Sequence, residues 1–138
     1  MAKKIGTILV STALLASIVI PSVLACAWTP GYWKNHREAW PTTSLTIGGV
    51  TYSESQLMGI LWASNKGNAW INLMQKVIAM RFSILVVPGP AADALLAEAD
   101  AWFVSNPTGP VLPKTVEGQA GLDIAGQLDD LLNLWDVE

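Results

Sequence analysis

The sequence predicts a mainly α-helical single domain of about five helices with one short β-hairpin, preceded by a signal peptide. Three observations predict it. Past residue 50, apolar residues recur at steps of three and four over separate stretches, which is the period of a helix with one buried face. Before them, a Gly-Gly pair joins two short runs of apolar and polar residues in alternation, which is a hairpin signal. At the front, Lys3 and Lys4 precede an uncharged run over 5–20 that Pro21 ends and small residues follow. That is the layout of a secretory leader, which takes no part in the fold.

Two cleavage sites compete for the end of the leader. Ala25-Cys26-Ala27 fits the small-x-small rule, with the cut before Trp28, so the leader is 1–27. Val23-Leu24-Ala25-Cys26 resembles a bacterial lipobox, in which the leader is 1–25 and Cys26 becomes a lipidated first residue. A third reading is an uncleaved anchor, because the apolar run approaches the length of a membrane span. Cys26 is the single cysteine of the chain. It can serve as a lipidation site, an intermolecular partner or a free thiol, but not in an intrachain disulfide.

Residues 26–138 are the size of one domain, long enough to bury a core without disulfides. Of the eight basic residues, Lys34, Arg37, Lys66, Lys76, Arg81 and Lys114 lie past the leader, against eleven acidic ones. That balance argues against nucleic acid as a partner, which needs clustered Lys and Arg. It argues equally against electrostatic docking onto anionic lipid, leaving membrane contact to a lipid anchor at Cys26.

The elements follow in order. Thr29-Pro30 reads as a cap and first residue of a helix over about 30–39. Pro41 ends it and places Trp33, His36, Arg37 and Trp40 on neighbouring turns of one side. Leu45 to Tyr52 reads as a hairpin about Gly48-Gly49, with Leu45, Ile47, Val50 and Tyr52 on one apolar face. Two strands are marginal alone, so that face must lie on helices. Ser53 and Gln56 form a capping-box pattern that opens a helix carrying Leu57, Ile60, Leu61 and Trp62.

The long segment 68–86 is apolar nearly all round, with Ile71, Met74, Ile78, Phe82 and Leu85 beside Trp70, Leu73, Val77, Met80 and Ile84. Asn72, Gln75, Lys76, Ala79 and Ser83 leave a narrow polar edge. This pattern predicts a central core helix, and its polar residues make it a poor membrane span. After Pro88-Gly89-Pro90, an Ala-rich helix over 91–105 carries Leu95, Leu96, Ala99, Trp102 and Phe103, with Asp93 in its first turn. Residues 106–118 hold three Pro and two Gly and read as an extended loop. The last helix, 122–135, carries Leu122, Ala125, Leu128, Leu131, Leu132 and Trp135.

The run Thr29-Pro30-Gly31-Tyr32-Trp33-Lys34-Asn35-His36, followed by Ala39-Trp40-Pro41, resembles a family of bacterial and archaeal exported or surface proteins. Their mature domain opens with a Gly-Tyr-Trp-Lys-Asn-His signature. The likeness continues in order through Leu45-Thr46-Ile47-Gly48, Tyr52, the Leu57 helix, Lys66-Gly67-Asn68 and the helices after them, and so covers essentially all of 26–138. The motif is specific, because six residues of mostly rare type seldom recur together. The resemblance implies an exported surface module and no particular reaction. Here Pro30 stands where Gln is common and Arg37 where Pro is common. The second Cys that many members carry is lacking, so no disulfide is carried over.

The same opening run holds the candidate ligand-binding residues Tyr32, Trp33, Lys34, Asn35, His36 and Trp40. With Trp28, the aromatic rings suit a platform for a sugar, with Lys34, Asn35 and Arg37 reaching its hydroxyls. The competing expectation is that the rings plug one end of a helical core, with their polar atoms bonded nearby. An imidazole has the chemistry of a general base, which makes His36 the candidate for that role. Against that stands a packed imidazole that bonds a backbone group or stacks on a Trp. No spacing of His, Cys or acids marks a metal site. Asp129, Asp130, Asp136 and Glu138 lack the alternation and turn glycine of a Ca²⁺ loop. No catalytic constellation, cofactor motif or phosphate loop is visible. The expected function is an exported, non-catalytic surface or envelope module of structural or adhesive type. A carbohydrate-binding module using the Trp-rich opening is the alternative. The expected partners are envelope polysaccharide or another surface protein.

Overall fold

A computed structural model describes residues 29–86 and 91–136. The leader, Cys26, Trp28, Pro88-Gly89-Pro90 and the side chain of Trp135 lie outside the described residues. The fold is mainly helical, as expected: α1 (Pro30–Asn35), a 3-10 turn (Arg37–Ala39), a hairpin of β1 (Leu45–Ile47) and β2 (Val50–Tyr52), then α2 (Glu54–Trp62), α3 (Ala69–Val86), α4 (Asp93–Ser105) and α5 (Val116–Asp136). Helix α3 packs against each of the other four, most extensively against α5. It is apolar and long enough to cross a membrane, but 61% of its length is buried inside the protein. A core helix meets the same two conditions of length and apolarity.

The expected helix over 30–39 is broken at His36. Thr29 caps α1 as the sequence implies, accepting from the Tyr32 N–H, and Pro30 opens the first turn. The imidazole of His36 then bonds the Tyr32 carbonyl at 2.9 Å. In a continuing helix that carbonyl would accept the backbone N–H of residue 36. The side chain takes its place, and the His36 N–H turns to the Trp33 carbonyl instead. A 3-10 turn follows, and Trp40 comes round to donate its indole N–H to that same carbonyl at 2.8 Å.

The hairpin pairs Leu45 with Tyr52 and Ile47 with Val50, the register expected for a Gly48-Gly49 turn. Leu45, Ile47 and Tyr52 are buried, but Val50 is exposed because it sits at the tip of the hairpin. The other face is polar, with the Thr46 and Thr51 hydroxyls bonded at 2.8 Å. Gly48 has a positive φ, and a Cβ there would lie 2.6 Å from that of Phe103. The bare backbone lets its N–H reach Asp100 at 3.1 Å, and Asp100 also holds Arg81 at 2.8 Å. One carboxylate thus ties the turn to α4 and α3. Both halves of the capping box at Ser53 and Gln56 are present.

The polar edge expected on α3 is the main departure. Gln75, Ala79 and Ser83 are buried, not exposed. Spaced four apart, they share the face that meets α1 and the end of α2. The Gln75 amide N–H₂ bonds the carbonyls of Ile60, Leu61 and Ala63 at 2.9–3.3 Å, and its oxygen accepts from Asn65. They lie at the end of α2, where carbonyls run out of helical partners, although the Ile60 carbonyl also accepts the Ala63 N–H at 3.2 Å. The outward residues at the end of α3 are instead Ile84, Leu85 and Val86.

Helix α5 begins at Val116, six residues before the expected start, so the extended loop is 106–115. Thr115 accepts the Gly118 N–H at 3.0 Å and acts as the cap. Gly118, which reads as a loop residue, is a packing residue in the first turn. A Cβ on it would fall 2.0 Å from the Leu112 carbonyl oxygen.

Candidate functional site

The signature residues divide into those turned into the core and those left at its edge. Trp33 is 1% exposed. Its indole N–H donates to Ser83 Oγ at 3.3 Å, and Ser83 in turn donates to the Ala79 carbonyl at 2.7 Å. The ring packs on Tyr32 and Phe82, and Trp40 covers Phe82 from the next turn. Trp33 is therefore a core residue and has no free face for a ligand. Trp40 and Tyr32 are half-buried against the same cluster. This is the plug arrangement, in which buried indoles have partners for their N–H groups.

His36 is stacked on Tyr32, with ring centroids 4.2 Å apart and nearly parallel planes. Because a carbonyl only accepts, the 2.9 Å contact with the Tyr32 oxygen places the neutral ring's proton on Nδ1. Asn35 is exposed but bonds back to the Gly31 carbonyl at 2.9 Å, closing the last turn of α1. Lys34 alone among the candidates points along the surface toward another element. Its ammonium lies 4.4 Å from the ring centroid of Trp62, a cation–π contact. Cys26 lies outside the described residues.

Among the described residues, Trp62 is the aromatic that the surface presents most fully. It is 58% exposed even with Lys34 over it. It lines two clefts. One, of about 590 Å³, is walled by Arg37, Ser53, Glu54, Met58 and Gly59. The other, of about 480 Å³, is polar and includes Lys34, Asn65 and Lys76. Both fall in the size range of small-ligand sites. Arg37 and Glu54 form an ion pair at the rim of the first cleft, joining the 3-10 turn to the first turn of α2. Break and hairpin together bring this about: the turn at His36 swings Arg37 outward, and the hairpin returns the chain so that α2 starts beside it.

By sequence Trp62 reads with the apolar side of its helix, but the structure turns it outward. It lies five residues after Leu57, about 140° further round a helix of 3.6 residues per turn. Leu57 and Leu61 define the buried side. Ser55, Met58 or Gly59, and Trp62 follow one another up the outer side, a stripe visible in the spacing once the buried side is known.

Among the described residues, no group of three His, Cys, Asp or Glu side chains is placed to hold a metal ion. The arrangement at Trp62 offers a flat apolar ring, a bare helix backbone at Gly59, serine hydroxyls and a guanidinium–carboxylate pair. These groups bind by stacking and hydrogen bonding. No protein-family model matches the chain, and no curated protein or solved structure is significantly similar to it.

Proposed function

We propose that the protein is an exported, non-catalytic module of the cell surface or envelope, with a structural or adhesive role. The observation that carries this reading is the use made of the one segment rich in reactive and aromatic residues. Trp33, Trp40 and Tyr32 clamp α1 onto α3, and His36 is held by a carbonyl and a stacked phenol. Such a segment builds a rigid end to the domain. The leader over 1–25 and the likeness to exported surface proteins support the destination, with Cys26 as the attachment point where a lipid anchor is made.

Fractionation of the source cells followed by intact-mass measurement tests the reading. The expected product is in the envelope or medium and begins at Trp28, or at Cys26 with a diacylglycerol-sized addition. Recovery from the cytoplasm with residues 1–27 still attached would overturn it.

The second reading is carbohydrate binding, and the specific observation in its favour is the exposed ring of Trp62 between two clefts. This moves the candidate surface away from Trp33 and Trp40 to the neighbouring helix.

A further inference from the structure

We propose that the cleft between Trp62 and the Arg37–Glu54 pair is a subsite for one pyranose unit of a β-linked polysaccharide with equatorial substituents. The inference rests on the carbohydrate-binding reading and names its site and ligand class.

Three features of the cleft converge on that ligand. The first is Trp62, a large apolar ring 58% exposed on the last residue of α2. A pyranose with equatorial substituents directs its axial C–H bonds to one face, and that face is apolar and flat enough to lie on an indole. The electron-rich face of the ring, the property that attracts Lys34, also attracts polarised C–H groups.

The second is Gly59. It stands in the interior of α2, where glycine is less favourable than alanine by about 0.5–1 kcal/mol. Packing does not demand it, because a Cβ built there meets nothing within 4 Å and the backbone is not in the left-handed region. Its effect is local. It removes the side chain one turn below Trp62 and leaves a backbone floor beside the ring, with Met58 as the neighbouring wall.

The third is the rim. The Arg37 guanidinium supplies forked donors and the Glu54 carboxylate supplies acceptors. Adjacent hydroxyls of a sugar each donate and accept, so a paired donor and acceptor at one edge matches them. Ser53 and Ser55 also line that edge, their hydroxyls 3.4 Å apart, with the Ser53 hydroxyl accepting the Gln56 N–H as the helix cap. The charges of Arg37 and Glu54 compensate each other, so the pair itself does not call for an anionic sugar.

The test uses the natively processed protein and measures depletion from solution by insoluble cellulose, chitin and purified peptidoglycan. Two variants probe the cleft. Trp62→Ala removes the stacking ring. Gly59→Leu keeps the ring but fills the floor, and it raises helix propensity, so it is expected to stay folded. The expected result is binding of the unaltered protein to at least one of the three polymers, weakened roughly tenfold or more in both variants. Thermal unfolding is expected at or above the unaltered temperature for Gly59→Leu. Binding that both folded variants retain would overturn the cleft while leaving carbohydrate binding intact. Binding to none of the three polymers would overturn the carbohydrate reading and the cleft with it.

Discussion

Trp33 and Trp62 sit on adjacent helices that pack against each other, yet they meet opposite fates. Trp33 is closed off on all sides and its N–H is satisfied by a serine reached from fifty residues away in sequence. Trp62 stands on the surface with a lysine over its ring. Residue type does not separate them. The difference lies in which way each helix faces α3. The segment that is most distinctive as sequence is the less available as surface, and the less distinctive helix carries the exposed aromatic.

The strongest way to break this comparison is to remove each ring in turn. Trp33→Ala deletes a filled core position and is expected to destabilise by about 3–5 kcal/mol. Trp62→Ala is expected to change stability by no more than about 0.5 kcal/mol, as exposed positions do. Urea denaturation of both variants checks the pair. Equal losses would mean that the two rings do not play the different roles described.

The next effect concerns the polar strip that sits beside Trp33. Gln75→Leu keeps the volume but removes the side-chain donor to the Leu61 and Ala63 carbonyls and the acceptor of the Asn65 amide, while Ile60 keeps its bond from the Ala63 N–H. A loss of about 1–3 kcal/mol is expected. Hydrogen exchange should speed up at the α2–α3 connection before it does in the α3–α5 contact. Neutral behaviour of Gln75→Leu would mean that water serves those carbonyls equally well.

A smaller effect sharpens the Trp62 side. Gly59→Ala is expected to stabilise by about 0.5–1 kcal/mol, because it adds a helix-favouring residue where a Cβ meets open space. Gly118→Ala, on the contrary, drives a methyl into the Leu112 carbonyl and is expected to destabilise. Thermal melts of the two variants should therefore move in opposite directions. A shift of both in the same direction would remove the steric distinction between them.

The smallest expected effect is at the hairpin, on the Trp33 side of the molecule. Burial pushes the Tyr52 phenol up from its usual pKa near 10. A raised value in the folded state means that the folded protein holds its proton longer than the unfolded chain does. The contribution is therefore complete below the ordinary tyrosine range and is lost as pH rises through the raised value. Tyr52→Phe should flatten the decline in stability above pH 10 or so, read from denaturation midpoints at stepped alkaline pH. An unchanged slope in that variant would place the decline elsewhere.

Much of the fold was legible in local chemistry. The cap at Thr29, the capping box at Ser53 and Gln56, and the Gly48-Gly49 turn each involve residues within a few positions of one another. Their geometry follows from dihedral preferences and nearby donors, so spacing alone predicts them. The start of α5 was less legible because Gly118 carries the same letter whether it serves as a turn or as a close contact. The site was least legible. Of the candidate binding residues, Lys34 reaches the exposed ring, whereas Gly59, Met58 and Trp62 belong to a helix that reads as ordinary core-facing structure.

The sequence by itself determined the helical class, the hairpin register and the central place of α3, because periodicity and turn chemistry are short-range properties. Tertiary structure decided the direction of each aromatic ring. Gln75, Ala79 and Ser83 are small or polar, and read alone they mark a solvated edge. Against α1 and α2 they become an inner seam, since the ends of those helices bring a carbonyl row and an indole N–H that must be satisfied away from water. That seam draws Trp33 inward and leaves Trp62 outside. A polar residue shows its direction only when the groups that need it are in place, and here those groups come from other helices, the neighbouring α2 for Gln75 and the more distant α1 for Ser83.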